Sequence, residues 1–424
     1  MNFKKSNYNI LVPYKENSTI IFNPLKGSIG RFTNETLERF NKNELTDDEI
    51  KILLDKGILI DNDFDELNKI NDDRKITICD NNLKHFRIWP TSACNARCYY
   101  CFEKGIKPVT MTKEVADATI KFMIDKLENN NLLSIEWFGG EPLVNVNIID
   151  YIYSKIKPVC KEKNCKIFST MITNGSLINE SIAKKICHDW DIKQIQITLD
   201  GYADYYDTAK NYYNKKLHNF NTVINAIKLL NKESIKISIR MNYDMKNYDS
   251  IVELVNYLHN EFEDSSNITY YIYPVWSSTD EEYEDKFISK AVAEKKLLNI
   301  FDLLLKYNMR SAKKLANLNY KKHACFARNK NSYTILADGK ITKCAETFKQ
   351  VIGDIWDGIK DTKTFDIWTN TDLETKCKNC IYLPLCQGGC KSSYFTSMPQ
   401  CFAFKDIIED VIRWYVDKLE QGYN

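Results

Sequence analysis

Short apolar runs and longer amphipathic segments alternate through the middle of the chain. Between residues 84 and 308, apolar helical spacing such as that of residues 113–128 separates runs rich in β-branched and aromatic side chains. These runs predict six strands, at 85–89, 134–138, 167–173, 193–199, 235–241 and 268–274. Six strand and helix repeats in a row predict a parallel α/β sheet with right-handed crossovers, closed into a partial or full barrel.

The first 70 residues follow a different pattern. Residues 7–23 contain two apolar runs around the polar stretch KENS, which predicts a hairpin. Helices are predicted near 33–41 and 46–57, and each begins at a threonine. Residues 61–75 are highly charged with few large apolar side chains, so we expect a linker there. A small unit of strands and short helices therefore precedes the barrel.

Beyond residue 320 the periodicity weakens and cysteine becomes frequent. Seven of the 14 cysteines lie between residues 325 and 401. The chain closes with an amphipathic segment near 402–419, whose polar positions are mixed in sign. We expect this helix to pack on the core and not to lie on a membrane.

Composition narrows the class of protein. The 59 Lys and Arg residues nearly balance the 57 Asp and Glu residues, and 12% of the 424 residues are aromatic, which indicates a globular chain and no nucleic-acid partner. The N-terminus lacks the features of a signal peptide and no apolar run is long enough to cross a membrane, so we expect a cytoplasmic protein. In that reducing compartment, clustered cysteines favour metal binding or catalysis over disulfides.

Three cysteines lie in a short loop directly after the first predicted strand. Cys94, Cys98 and Cys101 form the pattern Cys-x3-Cys-x2-Cys, at the strand end where parallel α/β folds place their chemistry. Three thiolates can bind three irons of a [4Fe–4S] cluster and leave the fourth iron open. Zinc is the alternative, although a structural zinc site uses four ligands.

This cysteine spacing, followed by an aromatic residue, resembles the radical S-adenosylmethionine (SAM) superfamily. The resemblance implies that the open iron binds the amino and carboxylate groups of SAM. Reductive cleavage of SAM then gives a 5′-deoxyadenosyl radical, which removes a hydrogen atom from the substrate. The resemblance also implies that Tyr100 and Phe102 shield the cluster and line the adenine side, with simple loop packing as the alternative.

A second motif supports the same resemblance without the cysteines. Gly139, Gly140, Glu141 and Pro142 end the second predicted strand and match the GGEP motif of the family. Two glycines allow backbone carbonyls to approach a ligand, and Glu141 can accept hydrogen bonds from a protonated amine. An ordinary turn between a strand and a helix is the alternative.

Polar residues end the next three predicted strands. The resemblance assigns Asn174, Thr198, Asp200 and Arg240 to the neighbourhood of the SAM ribose, the SAM carboxylate and the substrate. Favoured turns and a solvated arginine would explain each of them equally well. Their shared position at strand ends is what makes them candidates.

The C-terminal cysteine spacing resembles the SPASM domain of peptide-modifying radical SAM enzymes, which holds two further [4Fe–4S] clusters. The resemblance assigns Cys325, Cys344 and Cys390 to an inner cluster. It assigns the outer cluster to Cys377, Cys380, Cys386 and Cys401. Seven thiolates leave one ligand of the inner cluster missing, so the fourth position is an open iron, a water, a non-cysteine ligand or a further protein cysteine. A pair of zinc knuckles is the alternative for the whole region. The expected cofactors are therefore SAM and three [4Fe–4S] clusters.

The remaining four cysteines match no motif. We expect Cys79, Cys160, Cys165 and Cys187 to be small buried apolar residues.

The order of these parts suggests three domains. A unit at 1–75 resembles the PqqD-like, winged-helix-like element that binds the leader of a precursor peptide by adding it to a sheet edge, with a structural cap as the alternative. The radical SAM core is expected at 80–310, as a partial (β/α)6 barrel. The SPASM domain, with two auxiliary clusters and a C-terminal helix, is expected at 320–424.

The resemblance implies a maturase that modifies a ribosomally made precursor peptide by hydrogen abstraction, with flavodoxin or ferredoxin as electron donor. We favour a thioether product, because an open iron on the inner cluster could bind the substrate thiolate. Carbon–carbon crosslinking uses the same machinery. Formylglycine formation in a sulfatase is a rival, but there an Asp follows the cysteine at which this chain has Cys344 and then Ala345. A non-enzymatic iron–sulfur electron carrier is a further alternative.

Overall fold

The structure is a computed structural model that describes residues 2–244, 246–263, 265–275, 290–322, 325–396, 400–402 and 404–423. The predicted core of residues 80–310 thus includes residues 276–289, which lie outside the described residues.

The N-terminal region is built around a three-stranded antiparallel sheet. Its elements are β1 (Phe3–Lys5), β2 (Ile10–Tyr14), β3 (Ser18–Asn23), β4 (Ser28–Thr33), α1 (Asn34–Lys42), α2 (Asp47–Asp55), β5 (Leu59–Asp61) and α3 (Glu66–Ile78). The sheet has the order β2-β3-β4, and β1 pairs separately with β5. The predicted hairpin is confirmed as β2 and β3, whereas the sequence pattern did not show the third strand.

The threonines at the two predicted helix starts act as N-caps. The Thr33 hydroxyl accepts a 3.1 Å hydrogen bond from the Thr36 amide. Thr46 and Glu49 form a reciprocal capping box, which satisfies two amides at the start of α2. Both helix predictions are therefore confirmed, with the physical cause that the sequence suggested.

The predicted linker at 61–75 is wrong, because most of this segment belongs to helix α3. Its buried residues stand four apart and so form one face of the helix, namely Glu66, Ile70, Arg74 and Ile78. Two of the four are charged, which is why the composition of the segment suggested solvent exposure.

The six predicted strands are all present within two residues of their predicted limits. The elements are β6 (Leu83–Ile88), α4 (Lys113–Lys126), β7 (Leu132–Trp137), α5 (Val146–Glu162), β8 (Lys166–Thr173), α6 (Glu180–Lys184), β9 (Ile192–Leu199), α7 (Ala203–Lys210), α8 (Phe220–Lys232), β10 (Lys236–Tyr243), α9 (Tyr248–Phe262), β11 (Ile268–Pro274) and α10 (Lys290–Lys306). Strands β6 to β11 are parallel to their neighbours in sequence order.

The C-terminal region extends the same sheet. It contains α11 (Ala312–Ala316), β12 (Ser332–Ile335), β13 (Lys340–Thr342), β14 (Gly353–Asp354), β15 (Gly358–Ile359), α12 (Thr362–Thr369), α13 (Thr375–Lys378), α14 (Leu383–Cys386) and α15 (Ile408–Glu420). Strand β12 pairs in parallel with β6, at the edge that a closed barrel would pair with β11. The barrel is therefore open among the described strands, as a partial barrel requires.

Both faces of the N-terminal sheet carry buried apolar residues. Ile10, Val12 and Ile20 join the hydrophobic core of the barrel, whereas Ile21 and Phe32 pack with the apolar faces of α1 and α2. The C-terminal helix α15 buries one face and contacts β2, as expected for a helix packed on the core. In the described part of the chain, no helix is both long enough and apolar enough to span a membrane.

Candidate active site

The cysteine loop follows β6 and is closed by backbone contacts. An isolated bridge pairs Thr91 with Thr110, and the Ser92 amide donates to the Val109 carbonyl at 2.8 Å. Within the loop, the Cys101 amide donates to the Cys98 carbonyl at 3.2 Å. The ends of the segment that carries the three thiols are thus fixed to each other beside the sheet.

The three thiols of this loop are electrostatic neighbours. The pKa of both Cys94 and Cys101 is raised to about 12, mainly by burial and in smaller part by the adjacent thiols. Burial also raises the pKa of Cys98, against the charge of Lys210, which lowers it. A bound cation would reverse this preference, because thiolate is the form that binds metal. The donor set therefore fits an iron–sulfur cluster.

The paired glycines of the GGEP segment pack against this loop. A Cβ atom on Gly139 would lie 2.4 Å from the Thr91 carbonyl oxygen, and one on Gly140 would lie 2.4 Å from that of Ala93. Gly139 also has a positive φ of 109°. The Glu141 amide donates to the Ala93 carbonyl at 2.9 Å. In the structure, the close approach that these glycines permit is to the backbone of the cysteine loop.

Glu141 is fully buried, and its carboxylate holds two strand ends together. It accepts hydrogen bonds from the Leu143 amide at 3.1 Å, the Thr173 hydroxyl at 2.8 Å and the Asn174 amide at 2.8 Å. The Asn174 side chain in turn donates to Asn95 of the cysteine loop at 2.8 Å. Pro142 is buried at the start of a single 3₁₀ turn. The GGEP segment and the end of β8 therefore form one support for the loop.

Asp200 forms a second support, through a buried charge network. Its carboxylate accepts from the Tyr100 hydroxyl at 2.6 Å and the Asn242 amide at 3.0 Å, and pairs with the Lys210 ammonium at 2.8 Å. Lys210 also donates to the Tyr100 hydroxyl at 3.0 Å. Burial alone would lower the pKa of Lys210, but the charges of Asp200 and Cys98 raise it. Lysine is rarely buried unless it is paired, and this pair lies beside the cysteine loop.

Sequence reasoning did not identify Lys210, because it ends helix α7 at a position that carries no motif. It also missed Tyr99, whose hydroxyl donates to the Asp244 carboxylate. Phe102, by contrast, is a predicted site residue, and its ring stacks with that of Phe138, with centroids 6.3 Å apart.

A cavity of about 1080 Å³ lies between the parallel strands and the C-terminal cysteines. The predicted site residues that line it are Tyr100, Cys101, Phe102, Thr198, Arg240, Cys325, Cys344, Cys390 and Cys401. The remaining predicted residues do not line this cavity. One cysteine of the first loop and the three cysteines predicted for the inner cluster thus border the same space.

Arg87 is a further cavity residue that the sequence did not indicate. It lies in β6, and its guanidinium pairs with Glu136 of β7 at 2.8 Å. The guanidinium also lies 4.4 Å from the centroid of the Phe326 ring. Its charge lowers the pKa of the Cys325 and Cys344 thiols, against burial, which raises both. The inward position of Arg87 follows from strand register, which a lone arginine in an apolar run does not reveal.

The structure brings the seven C-terminal cysteines together in two sets. The Cys325 thiol interacts electrostatically with Cys344 and Cys390. In the second set, Cys377 interacts electrostatically with Cys380 and Cys401. Cys386 interacts with the same two thiols and with Cys377. Among the described residues, no three His, Cys, Asp or Glu side chains converge on a position for a single metal ion.

The four cysteines without a motif differ in exposure. Cys160 is buried, and Cys165 and Cys187 are partly buried against the hydrophobic core. Cys79 is exposed at the end of α3, so the expectation that it is buried is wrong.

Comparison with known proteins decides the nature of the central region. The family model of the radical SAM superfamily matches residues 88–258. This region is a radical SAM domain. Domains of this superfamily bind SAM and a [4Fe–4S] cluster, and the cysteine loop and the GGEP segment both lie within the matched residues.

Three relatives extend the comparison. The chain is 34% identical over 179 residues to an uncharacterised protein of Methanocaldococcus jannaschii (42% of this chain, 58% of the relative). It is 24% identical over 364 residues to a cysteine-type anaerobic sulfatase-maturating enzyme of Clostridium novyi (75% and 92%). It is 26% identical over 239 residues to the radical SAM cyclopropyl synthase TigE of Paramaledivibacter caminithermalis (51% and 49%). The chain thus spans little more than half of the first relative and about half of the third.

Solved structures share the fold. The structure of anSMEcpe with bound AdoMet superposes with a TM-score of 0.60 at 19% identity, covering 80% of this chain and 98% of that one. Streptococcus suis SuiB bound to the precursor peptide SuiA superposes with a TM-score of 0.54 at 17% identity, covering 95% and 98%. The large mixed sheet is therefore the radical SAM α/β fold.

Proposed function

We propose that this protein is a peptide maturase that modifies a ribosomally synthesised precursor peptide by hydrogen abstraction, and that it forms a thioether crosslink. The observation that carries the proposal is the shared cavity, which is bordered by Cys101 on the radical SAM loop and by Cys325, Cys344 and Cys390. A volume of about 1080 Å³ exceeds the size of most small-ligand pockets and suits a peptide segment beside SAM.

Cys94, Cys98 and Cys101 would hold the cluster whose open iron binds SAM. With both present, the cluster and SAM would supply the radical that abstracts hydrogen from the peptide. The other chain residues position the loop: Asp200 with Lys210 orients Tyr100, and Glu141 ties the end of β7 to that of β8. Thr198 and Arg240 line the cavity beside it, and the Arg240 guanidinium lies 4.1 Å from the Tyr273 ring centroid.

The inner set of thiols supports the choice of a thioether. Cys325, Cys344 and Cys390 offer three ligands to a cluster that has four irons, and all three border the cavity. An open iron there could bind the thiolate of a peptide cysteine, close to the carbon from which hydrogen is removed. The positive charge of Arg87 would favour the anionic form of that sulfur. The outer set of Cys377, Cys380, Cys386 and Cys401 would hold the third cluster.

The N-terminal sheet is the proposed site for the peptide leader. Strand β4 is an edge strand, and most of its residues are partly or fully exposed. The other edge strand, β2, lies beside α15, where the Pro13 carbonyl accepts a 3.0 Å hydrogen bond from Arg413. A leader that adds to β4 as a further strand would use the unpaired backbone groups of that edge. The SuiB structure with its precursor peptide supports a peptide substrate for this fold.

Mass spectrometry of a co-expressed peptide tests the proposal. The substrate is a short Cys-containing peptide encoded beside the gene, produced with the wild-type chain or with a Cys94, Cys98 and Cys101→Ala variant as the inactive control. We expect loss of two hydrogen atoms with the wild type alone, together with loss of the free thiol of the peptide. A product that lacks two hydrogens but keeps its thiol would instead indicate a carbon–carbon bond.

Formylglycine formation in a sulfatase is the second candidate. The Clostridium novyi sulfatase-maturating enzyme aligns with 75% of this chain, which favours it. Ala345 follows Cys344, whereas Glu346, one position further, lines the cavity and could act as a base. Conversion of the cysteine in a sulfatase-derived peptide to formylglycine would support this candidate and overturn the thioether proposal. In either reaction, we propose that a flavodoxin or ferredoxin supplies the electron.

A further inference from the structure

Two buried arginines lie beside the C-terminal cysteines, and among the described residues neither forms a salt bridge with a carboxylate. Arg74 is 1% exposed and Arg328 is 2% exposed. The Nε atom of each is buried and has no hydrogen-bond partner in the described part of the chain. Arg328 donates to the Gln387 and Asn370 carbonyls, at 3.1 and 2.9 Å, and Arg74 donates to the Asn71 side chain at 3.2 Å.

Burying two positive charges in this way lowers the stability of the fold. A buried guanidinium keeps its charge, so it needs an anion nearby to offset the loss of water. Burial, and after it the charge of Arg328, lowers the pKa of Arg74 to about 10. The anionic groups that act on Arg74 are the thiolates of Cys377 and Cys386, followed by the Asp372 carboxylate. Those that act on Arg328 are Cys325, Tyr394 and Cys390.

Arg74 is notable because it comes from the N-terminal region. It lies on the buried face of α3. The same face carries Ile70, which packs with Leu373, Leu383 and the partly buried Cys377. Arg74 approaches the loop of the outer set at Gly388, where a Cβ atom would lie 3.8 Å from its Nη2 atom. Helix α3 therefore forms one wall of the outer cysteine site.

We propose that Arg74 is the counter-cation of the outer [4Fe–4S] cluster, supplied by the N-terminal region, and that it raises the reduction potential of that cluster. The inference rests on the proposed function, which places a cluster on Cys377, Cys380, Cys386 and Cys401. A [4Fe–4S] cluster with four thiolate ligands carries net negative charge, and reduction adds more. A fixed positive charge beside it stabilises the reduced form, so Arg74 is a positioning and charge-compensating residue and not a catalytic one.

The test compares full-length, anaerobically reconstituted Arg74→Gln and Arg74→Lys with the wild type. The matched control is Lys69→Gln, which removes one positive charge from the exposed face of the same helix. The readouts are the iron content and the reduction potentials from a redox titration followed by electron paramagnetic resonance. We expect one titrating component to move to lower potential in Arg74→Gln, or to be lost. Arg74→Lys should restore it, and Lys69→Gln should leave it unchanged.

Three results would overturn the inference. Unchanged potentials in Arg74→Gln, with a wild-type iron content, would show that the charge does not act on the cluster. If the titrating component is lost equally in Arg74→Gln and Arg74→Lys, the Arg74 side chain only fills space and its charge has no role. Wild-type protein without a cluster on the outer set would overturn both this inference and that part of the proposed function, whereas the first two results leave the proposed function intact.

Discussion

At the residue scale, the buried pair of Lys210 and Asp200 is the least replaceable charge interaction around the cysteine loop. Replacing Lys210 with Met would leave the Asp200 carboxylate buried without its cation, which costs about 3 to 5 kcal/mol. We expect Lys210→Met to lower the free energy of unfolding by that amount in anaerobic urea titrations. It should also slow SAM cleavage, because Tyr100 loses a hydrogen-bond partner.

Lys193→Met is the matched control for this prediction. Lys193 pairs with Asp191, but both side chains are about half exposed. Exposed pairs contribute at most about 1 kcal/mol, so this variant should unfold almost as the wild type does. Equal stability of the two variants would mean that the Lys210 pair does not hold the site.

His85 makes stability depend on pH. Burial, together with the charges of Arg87 and Lys343, lowers the pKa of His85 to about 3. The unfolded chain binds a proton at the ordinary pKa of about 6.5 and the folded chain does not, so stability is lost as pH falls from 6.5 towards 3. Between pH 7.5 and 5.5 the loss from this residue should be about 1.4 kcal/mol.

The check is urea unfolding of the wild type and His85→Gln at both pH values. The variant keeps a polar group near Ser134, to which the His85 Nδ1 atom is hydrogen-bonded at 3.0 Å, but it does not titrate. Its stability should therefore fall by about 1.4 kcal/mol less than that of the wild type. An identical fall in the two proteins would mean that His85 takes up a proton in the folded state.

At the element scale, helix α3 shows where the sequence was insufficient. The six barrel strands could be predicted because each is a short apolar run, and helices α1 and α2 because each begins at a capping threonine. In α3 the buried face includes Glu66 and Arg74, whose burial depends on partners far away in sequence, such as Ser6 and the C-terminal cysteines. No local pattern contains that information.

The same Ile to Ala substitution at a buried and at an exposed position tests whether packing of α3 stabilises the fold. Ile70 is fully buried, whereas Ile76, on the same helix, is 69% exposed. We expect Ile70→Ala to cost about 2 to 5 kcal/mol because it leaves a cavity. Ile76→Ala should change stability by less than about 0.5 kcal/mol. Similar urea midpoints for the two variants would mean that the buried face of α3 does not stabilise the fold.

Some residues of the candidate site could likewise be predicted from local sequence, and others could not. The cysteines, the glycine pair and the strand-end residues were predictable, since each carries a motif or a fixed place at the end of a strand. Lys210 and Arg87 were not, because their roles follow from which strands and helices become neighbours. Glu141 was identified, but its three bonds to the chain appear only when β7 and β8 are paired.

At the scale of the whole molecule, the C-terminal region completes the sheet of the radical SAM domain. Strand β12 covers the edge of β6, and α15 contacts both the barrel and the N-terminal hairpin. We expect a chain ending at residue 320 to be insoluble, because it exposes a strand edge and the apolar surface under α15. Size-exclusion chromatography and cooperative urea unfolding are the checks. A monomeric fragment that unfolds cooperatively would show that residues 1–320 fold without the C-terminal region.

The most direct measurement of the central claim is SAM cleavage by the anaerobically reconstituted chain with dithionite as reductant. We predict that the wild type forms 5′-deoxyadenosine and binds about twelve irons per chain, as three [4Fe–4S] clusters require. The Cys94, Cys98 and Cys101→Ala variant should form none and keep about eight irons. Wild-type protein that forms no 5′-deoxyadenosine, or a triple variant that still forms it, would contradict the account.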